Sequence, residues 1–243
     1  MATTRRANVR WHLGGNDPWD NSAVTSSLPE AVLWDLDGTL VDTEPAWIAC
    51  ERALVESHGG TWTDEDSLAL VGSDLLTAAA YIRDRGSVPL TPEKIVEWML
   101  DEMELRVRRS LRWQPGAREL LTELRAAGVP CALVTMSYRR LVDAILAGLP
   151  SGTFGAVVTG DEVVNGKPDP EPYLTAAALL GVDPADCLVI EDSSTGAAAG
   201  VAAGCRVLAV PRVISIDSSL PVTVLPSLAG LQAGDLAAAA ALR

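Results

Sequence analysis

The sequence predicts an α/β fold, a mostly parallel sheet covered by helices on both faces and interrupted after its first strand by an all-helical insertion. Three observations predict it. Short apolar runs ending in polar residues recur at 31–34, 131–134 and 187–190, and runs this short and apolar read as buried strands. Helical periods fill the gaps between the later runs, and strands that alternate with helices build parallel sheets. Between residues 42 and 115 the alternation stops and only helical periods remain.

Taken in order, residues 1–28 are polar, carry Gly14-Gly15 and Asp17-Pro18, and show no sustained period. They are expected to form a flexible extension, in which Trp11 and Trp19 stand out. Arg5, Arg6 and Arg10 are followed by no apolar stretch, so this segment does not read as a signal peptide. After the strand at 31–34, the run 44–58 repeats apolar residues at helical spacing, Trp47 and Ile48 before Leu54 and Val55, and stops at Gly59-Gly60. The run 73–85 is amphipathic, with Ser73 as its expected N-cap and Gly86 after its end. Thr91-Pro92-Glu93 opens the longest helix, with proline in its first position. Its stripe of Ile95, Val96, Met99, Leu100, Met103 and Val107 is expected to pack against the other inserted helices. From Pro115 the pattern predicts a helix at 117–127, a strand ending at Thr135, a helix at 139–147 and a strand at 156–159. A helix at 171–180, a strand at 187–190, a helix at 194–203 and a strand at 206–210 follow. A last edge strand is expected at 222–225, and a frayed helix in the tail 232–243.

Reactive residues gather at the ends of the strand-like runs. Asp35 and Asp37 follow the first run, and alternation along an extended chain sends both to the same side before Gly38 lets the backbone turn away. Thr135, followed by Ser137, ends the second run; Lys167 sits in a Pro-rich loop ahead of the helix at 171; Glu191-Asp192 ends the run at 187–190. Taken singly, each has a plain alternative: an Asp-Gly turn, a strand-end hydroxyl, a solvated helix cap. Lysine is the exception. Lys94 and Lys167 are the only lysines in a chain that otherwise uses arginine, and an ammonium is retained where a compact point charge is needed.

In this order, acid-x-acid-Gly-Thr, then Thr, then Lys-Pro, then Glu-Asp, the segments resemble the haloacid dehalogenase superfamily of phosphohydrolases, in particular its β-phosphoglucomutase-like and sugar-phosphatase members. The resemblance covers about 29–231. It implies a Rossmann-like core at 29–44 and 113–231, and a small helical cap domain at 45–112 whose closure shields the site from water. By resemblance the metal ligands are the Asp35 side chain, the Asp37 backbone carbonyl and the Asp192 side chain, with Glu191 acting through water. Family members that cleave carbon–halogen bonds lack the second aspartate, so Asp37 favours phosphoryl transfer.

Elementary electrostatics leads to a compatible mechanism. Asp35, Asp37, Glu191 and Asp192 at one sheet edge resist ionising together. A hard cation such as Mg2+ accepts oxygen ligands and leaves positions for water and phosphate. His12 and His58 are isolated, and the four cysteines have no Cys-x-x-Cys spacing, so no softer metal site competes. Asp35 is then the expected nucleophile that becomes an aspartyl phosphate, and Asp37 the acid and base. Thr135 and Ser137 are expected to donate hydroxyls to the phosphate, and Lys167 to neutralise nucleophile and transferring group.

Composition narrows the partners. With 19 basic against 32 acidic residues, the net charge of −13 disfavours nucleic acid and anionic membranes, and alanine-rich runs such as 236–242 are too short to span a bilayer. The four cysteines fall mostly in elements expected to be buried, as reduced thiols do in the cytoplasm. A cytoplasmic monomer acting on a small phosphate ester is the expectation.

A hydrolase of a small sugar or polyol phosphate is the favoured reading of the site, with a phosphomutase as the alternative. β-Phosphoglucomutases continue the second motif with Ser-Lys-Asn to hold a second phosphate and carry a cap arginine shortly after a glycine; here Ser137-Tyr138-Arg139 and Val71-Gly72-Ser73-Asp74 stand instead. Arg139 or Arg140 could restore that contact, or could lie on an exposed helix face with carboxylate partners. A phospho-accepting receiver, a non-enzymatic alternative, places its lysine last, whereas Lys167 precedes Glu191-Asp192.

Overall fold

The computed structural model describes residues 28–71, 73–212 and 214–236. The expected extension, with Trp11 and Trp19, and most of the tail lie outside them. Among the described residues the chain runs β1 (Ala31–Trp34), α1 (Glu44–Ser57), α2 (Asp64–Leu68), α3 (Leu75–Gly86), α4 (Pro92–Arg109), α5 (Ala117–Ala126), β2 (Cys131–Val134) and α6 (Arg139–Leu146). It continues β3 (Ala156–Val158), α7 (Glu171–Leu180), β4 (Cys187–Glu191), α8 (Ser194–Ala202), β5 (Arg206–Ala209) and β6 (Thr223–Val224). The six strands form one sheet in the order β3-β2-β1-β4-β5-β6, with every pairing parallel.

Strand alternation divides the interior in two. Val32, Trp34, Cys131 and Leu133 face a cluster shared with α5 and α6, while Ala31, Leu33, Ala132 and Val134 face one shared with α7 and α8. Both faces are buried, which is why these strands are continuously apolar rather than alternating. The cluster on the first face runs without a break into the inserted helices, through Cys50, Leu54, Ile95 and Met103. Helix α4 packs against α1 and α3, as the sequence predicts, and also against α6 outside the insertion, which the sequence reading did not anticipate.

The chain leaves the sheet and returns side by side. Asp42 N–H donates to Arg112 O and Gln114 N–H to Leu40 O, so the two strands of linker flanking the helices are tied near the end of β1.

Some boundaries differ from the sequence reading for physical reasons. Helix α3 is capped by the Asp74 side chain, which accepts from Thr77 N–H at 2.9 Å, and not by Ser73. Gly86 lies inside α3, and Ser87 takes the left-handed cap with φ 52°. Gly86 is there for contact: a Cβ at that position would stand 2.6 Å from Val55 Cγ2, so glycine lets α3 approach α1. Helix α2 has no apolar period to betray it, and is held by a capping box between Thr63 and Asp66. The start of the tail is a 3-10 turn, Ala233–Asp235, whose Ala233 N–H donates to Glu123 Oε2 on α5, with Leu236 fully buried.

Candidate active site

Three strands side by side, β2, β1 and β4, bring Thr135, Asp35 and Glu191-Asp192 together at their carboxyl ends, where open parallel sheets bind ligands. Lys167 reaches the same point from the loop before α7. That loop is clamped by Glu171, the first residue of α7, whose carboxylate accepts from the backbone N–H of Val164 and Asn165.

The Lys167 side chain is 4% exposed. Its ammonium donates to Asp35 Oδ1 at 2.8 Å, Glu191 Oε1 at 2.7 Å and Val134 O at 2.9 Å, one acceptor for each proton. Burial works to lower its pKa, but the carboxylates of Asp35 and Glu191 outweigh burial and hold it above the ordinary lysine value. Glu191 is spoken for on both oxygens: Oε1 also accepts from Tyr173 OH at 2.8 Å, and Oε2 from Ser193 Oγ and the N–H groups of Asp192 and Ser193. Four donors besides Lys167 fix this carboxylate, which in turn positions the lysine.

One ammonium does not offset the acids around it. Burial, reinforced by Glu191, pushes the Asp35 carboxyl up to about 7, against the opposing pull of Lys167. Burial and the neighbouring Asp35 push Asp192 up to about 9. Ligand oxygens of Asp35, Glu191 and Asp192 lie within 4.8 Å of one another, a hard-oxygen set short of positive charge, which is what a divalent cation accepts. Gly38 shapes it: at φ +85°, a Cβ there would stand 2.0 Å from Asp192 Oδ2, so only glycine lets that carboxylate come in beside the Asp35–Asp37 segment. The residues fit a small divalent ion.

Asp37 is turned to a different set of partners. Thr43 Oγ1 and Trp47 Nε1, the latter at 3.3 Å, donate to its Oδ1, while Ser137 Oγ at 2.7 Å and Thr135 Oγ1 at 3.3 Å donate to Oδ2. The two hydroxyls expected at a phosphate therefore converge on the carboxylate expected as acid and base. Every candidate site residue named from the sequence lines one cavity of about 160 Å3. Arg139 and Arg140 do not reach it: Arg139 pairs with Glu162 and Asp143, and Arg140 with Asp101 and Glu104 on α4.

Sequence reasoning missed Thr43, Trp47, Tyr173, Glu44 and Glu51. Trp47 enters the sequence reading only as part of a helical period, and Tyr173, which is fully buried, is not singled out there. The available signal was the spacing Glu44, Trp47, Glu51, which puts all three on one face of α1. Burial, with help from Glu51 and Asp37, pushes the Glu44 carboxyl up to about 7.

Glycine 196 offers a local test. A Cβ there would stand 1.7 Å from Glu191 Oε1, so Gly196→Ala is expected to push Glu191 off Lys167 and Tyr173. Overpacking of this kind costs about 1–3 kcal/mol, a melting temperature lower by several degrees in a chain this size. Gly234→Ala, which meets open space, is the control; equal melting temperatures for the two variants would show that Glu191 is not tightly held.

The site is thus an acidic cluster and a buried lysine at the carboxyl edge of a parallel α/β sheet. The family model described as "Haloacid dehalogenase-like hydrolase" matches residues 32–210, and the chain belongs to that family as a phosphatase-type hydrolase. Hexitol phosphatase A of Escherichia coli is 35% identical over 195 residues, covering 76% of this chain and 87% of that protein. The bifunctional riboflavin kinase/FMN phosphatase of Arabidopsis thaliana is 37% identical over 190 residues; these cover 76% of this chain but only 49% of that protein, so the chain spans about half its length. Among solved structures, CbbY from Rhodobacter sphaeroides in complex with phosphate superposes with a TM-score of 0.76 at 25% identity, covering 84% of this chain and 96% of that one. Among the described residues no helix is long and apolar enough to cross a membrane.

Proposed function

We propose that this chain is a Mg2+-dependent phosphohydrolase that cleaves a small sugar or polyol phosphate through an aspartyl-phosphate intermediate. The observation that carries the reading is Asp35 itself, a buried carboxylate at the head of the cavity with one oxygen held by Lys167 Nζ at 2.8 Å. That contact fixes the carboxylate and leaves its other oxygen for in-line attack on phosphorus. Asp37 protonates the departing alcohol and then takes a proton from the water that hydrolyses the aspartyl phosphate. Its contact with Trp47 on α1 ties the acid and base to the inserted helices, which form the cap over the cavity. Thr135 and Ser137 turn their hydroxyls to the phosphate oxygens, and Lys167 balances charge on the nucleophile and the transferring group. Asp35 and Asp192 would hold the metal by their side chains, Asp37 by its backbone carbonyl, and Glu191 through water. When bound, the ion supplies positive charge that lets these carboxylates ionise together and draws charge from the phosphate.

Relatives named as phosphatases of hexitols support the substrate class. The mutase reading is less favoured because Arg139 and Arg140, its candidates for a second phosphate contact, are engaged by carboxylates. The deciding experiment screens phosphate monoesters with magnesium, including β-glucose 1-phosphate with a trace of glucose 1,6-bisphosphate. Steady release of inorganic phosphate is expected; glucose 6-phosphate formed with little free phosphate would establish the mutase.

Metal dependence has a readout in stability. Without metal, the folded protein keeps protons on Asp35 and Asp192, whose values are raised to about 7 and about 9 from 3.8. The stability linked to those protons is fully present below pH 3.8 and is lost as pH rises through 7 and then 9. A cation that binds the ionised site stabilises the fold by about 2.7 kcal/mol at 100 times its Kd. Melting curves in chelator and in magnesium should therefore diverge little at pH 5 and clearly at pH 8. Coincident curves at pH 8 would sink the metal site.

A further inference from the structure

The far wall of the cavity is made by the inserted helices, and its chemistry is one-sided. Helix α1 presents Glu44, Trp47 and Glu51 to it, Ser73 adds a hydroxyl just before α3, and the rest of that wall is apolar, with Leu75 and Ile82 from α3 and Ile95 and Met99 from α4. Among the described residues lining the cavity, Lys167 is the one basic side chain, and its three protons are already taken by Asp35, Glu191 and Val134 O. Arginines that might turn inward are engaged elsewhere: Arg85 with Asp66, Arg139 with Glu162, and Arg140 with Asp101 and Glu104.

Glu51 is fixed in place. It is 7% exposed, and its Oε2 accepts from Trp62 Nε1 at 3.2 Å, the same indole N–H that reaches Ser67 Oγ at 2.9 Å. Glu44 lies two helical turns earlier on the same face of α1, and among the described residues no hydrogen bond or ion pair holds its carboxyl. A leaving group that enters this space meets two carboxyls and hydrocarbon. A second phosphate or a carboxylate there has no cation to pair with, and a charge desolvated beside like charge is rejected strongly. Hydroxyl groups, in contrast, donate hydrogen bonds to carboxylates, while carbon skeletons pack against the leucine, isoleucine and methionine side chains.

We infer that Glu44 and Glu51 are specificity-determining residues that exclude a second anion from the leaving group, so that the substrate is the monophosphate of an uncharged, hydroxylated alcohol. The inference rests on the phosphohydrolase reading and deepens it. It separates this chain from relatives of the same fold that take bisphosphates, as CbbY from Rhodobacter sphaeroides does in its complex with xylulose 1,5-bisphosphate.

The test uses two esters that differ only at the end far from phosphate. Glucitol 6-phosphate carries a hydroxymethyl group there, and 6-phosphogluconate a carboxylate. With magnesium present at pH 8, above the value of about 7 to which burial raises Glu44, wild-type kcat/KM should favour glucitol 6-phosphate by roughly 10²-fold or more, the scale of like-charge exclusion in a buried site. Glu44→Gln should lower that ratio by about tenfold, the effect of removing one of two repelling charges, through a gain in kcat/KM for 6-phosphogluconate. Glu51→Gln, which keeps an acceptor for Trp62, should act in the same direction. A gain of activity cannot come from damaged folding. Comparable kcat/KM for the two esters in wild type, or a ratio that neither variant changes, overturns this inference while leaving the phosphohydrolase standing. Release of no phosphate from either ester or from p-nitrophenyl phosphate overturns the reaction itself, and this inference with it.

Discussion

Asp35→Asn is expected to lower phosphate release by about 10⁶-fold, the scale seen when the nucleophile is removed from a concerted catalytic unit. The amide keeps the shape of the carboxylate, and its oxygen can still accept from Lys167 Nζ. Stability should move the other way. Burial and Glu191 push the Asp35 carboxyl up to about 7, so a neutral side chain relieves like-charge crowding in the metal-free protein at pH 8. The melting temperature in chelator should hold or rise while turnover vanishes. Activity near wild type would remove Asp35 from the nucleophile's role, and loss of activity accompanied by unfolding would reduce the residue to a structural part.

The site was legible where its chemistry is written locally, and not where helix packing decides. Asp35, Thr135 and Glu191 each end a short apolar run, and the parallel order of β2, β1 and β4 brings those ends together; the strand pattern carries that information. Lys167 was legible by rarity. The orientation of α1 was not, because a helix with Trp47, Ile48, Leu54 and Val55 can turn either of two faces to the interior. Contact with α4 and α3 decides it, leaving Cys50, Leu54 and Val55 buried while Trp47 points to Asp37. Tyr173 was hidden in the same way, a phenol in an alanine-rich helix whose apolar neighbours gave no reason to look for a partner. Gly86 shows a different limit: a glycine near a helix end reads as a stop signal, whereas here it makes room for Val55. The roles of Arg139 and Arg140 could not be read from sequence, since their partners Glu162, Asp101 and Glu104 are distant in the chain.

Lys167→Met is expected to cost both activity and stability, with the stability loss depending on pH. Methionine fills a similar volume but supplies no proton to Asp35 Oδ1, Glu191 Oε1 or Val134 O, which Lys167 Nζ meets at 2.7 to 2.9 Å. Removing one partner from a buried ionic cluster costs about 3–5 kcal/mol because the charges left behind have no compensation. Those charges can be neutralised by protons, so the cost should be smallest near pH 5 and grow toward pH 8, where Asp35 must ionise with Glu191 beside it. Phosphate release should fall by at least about 10³-fold, the upper range for deleting one electrostatic contact to a developing charge. Lys167→Arg should not rescue it. A planar guanidinium cannot send single protons to three acceptors grouped around one nitrogen, and the 5.0 Å approach of Nζ to the Tyr173 ring leaves little room for the larger head group. Denaturant titrations of both variants at pH 5 and pH 8 in chelator, with turnover measured in magnesium, separate the two effects. Equal stability of wild type and Lys167→Met at pH 8 would mean that this ammonium does not hold the acidic cluster together, and full activity of Lys167→Arg would mean that any positive charge at that position serves.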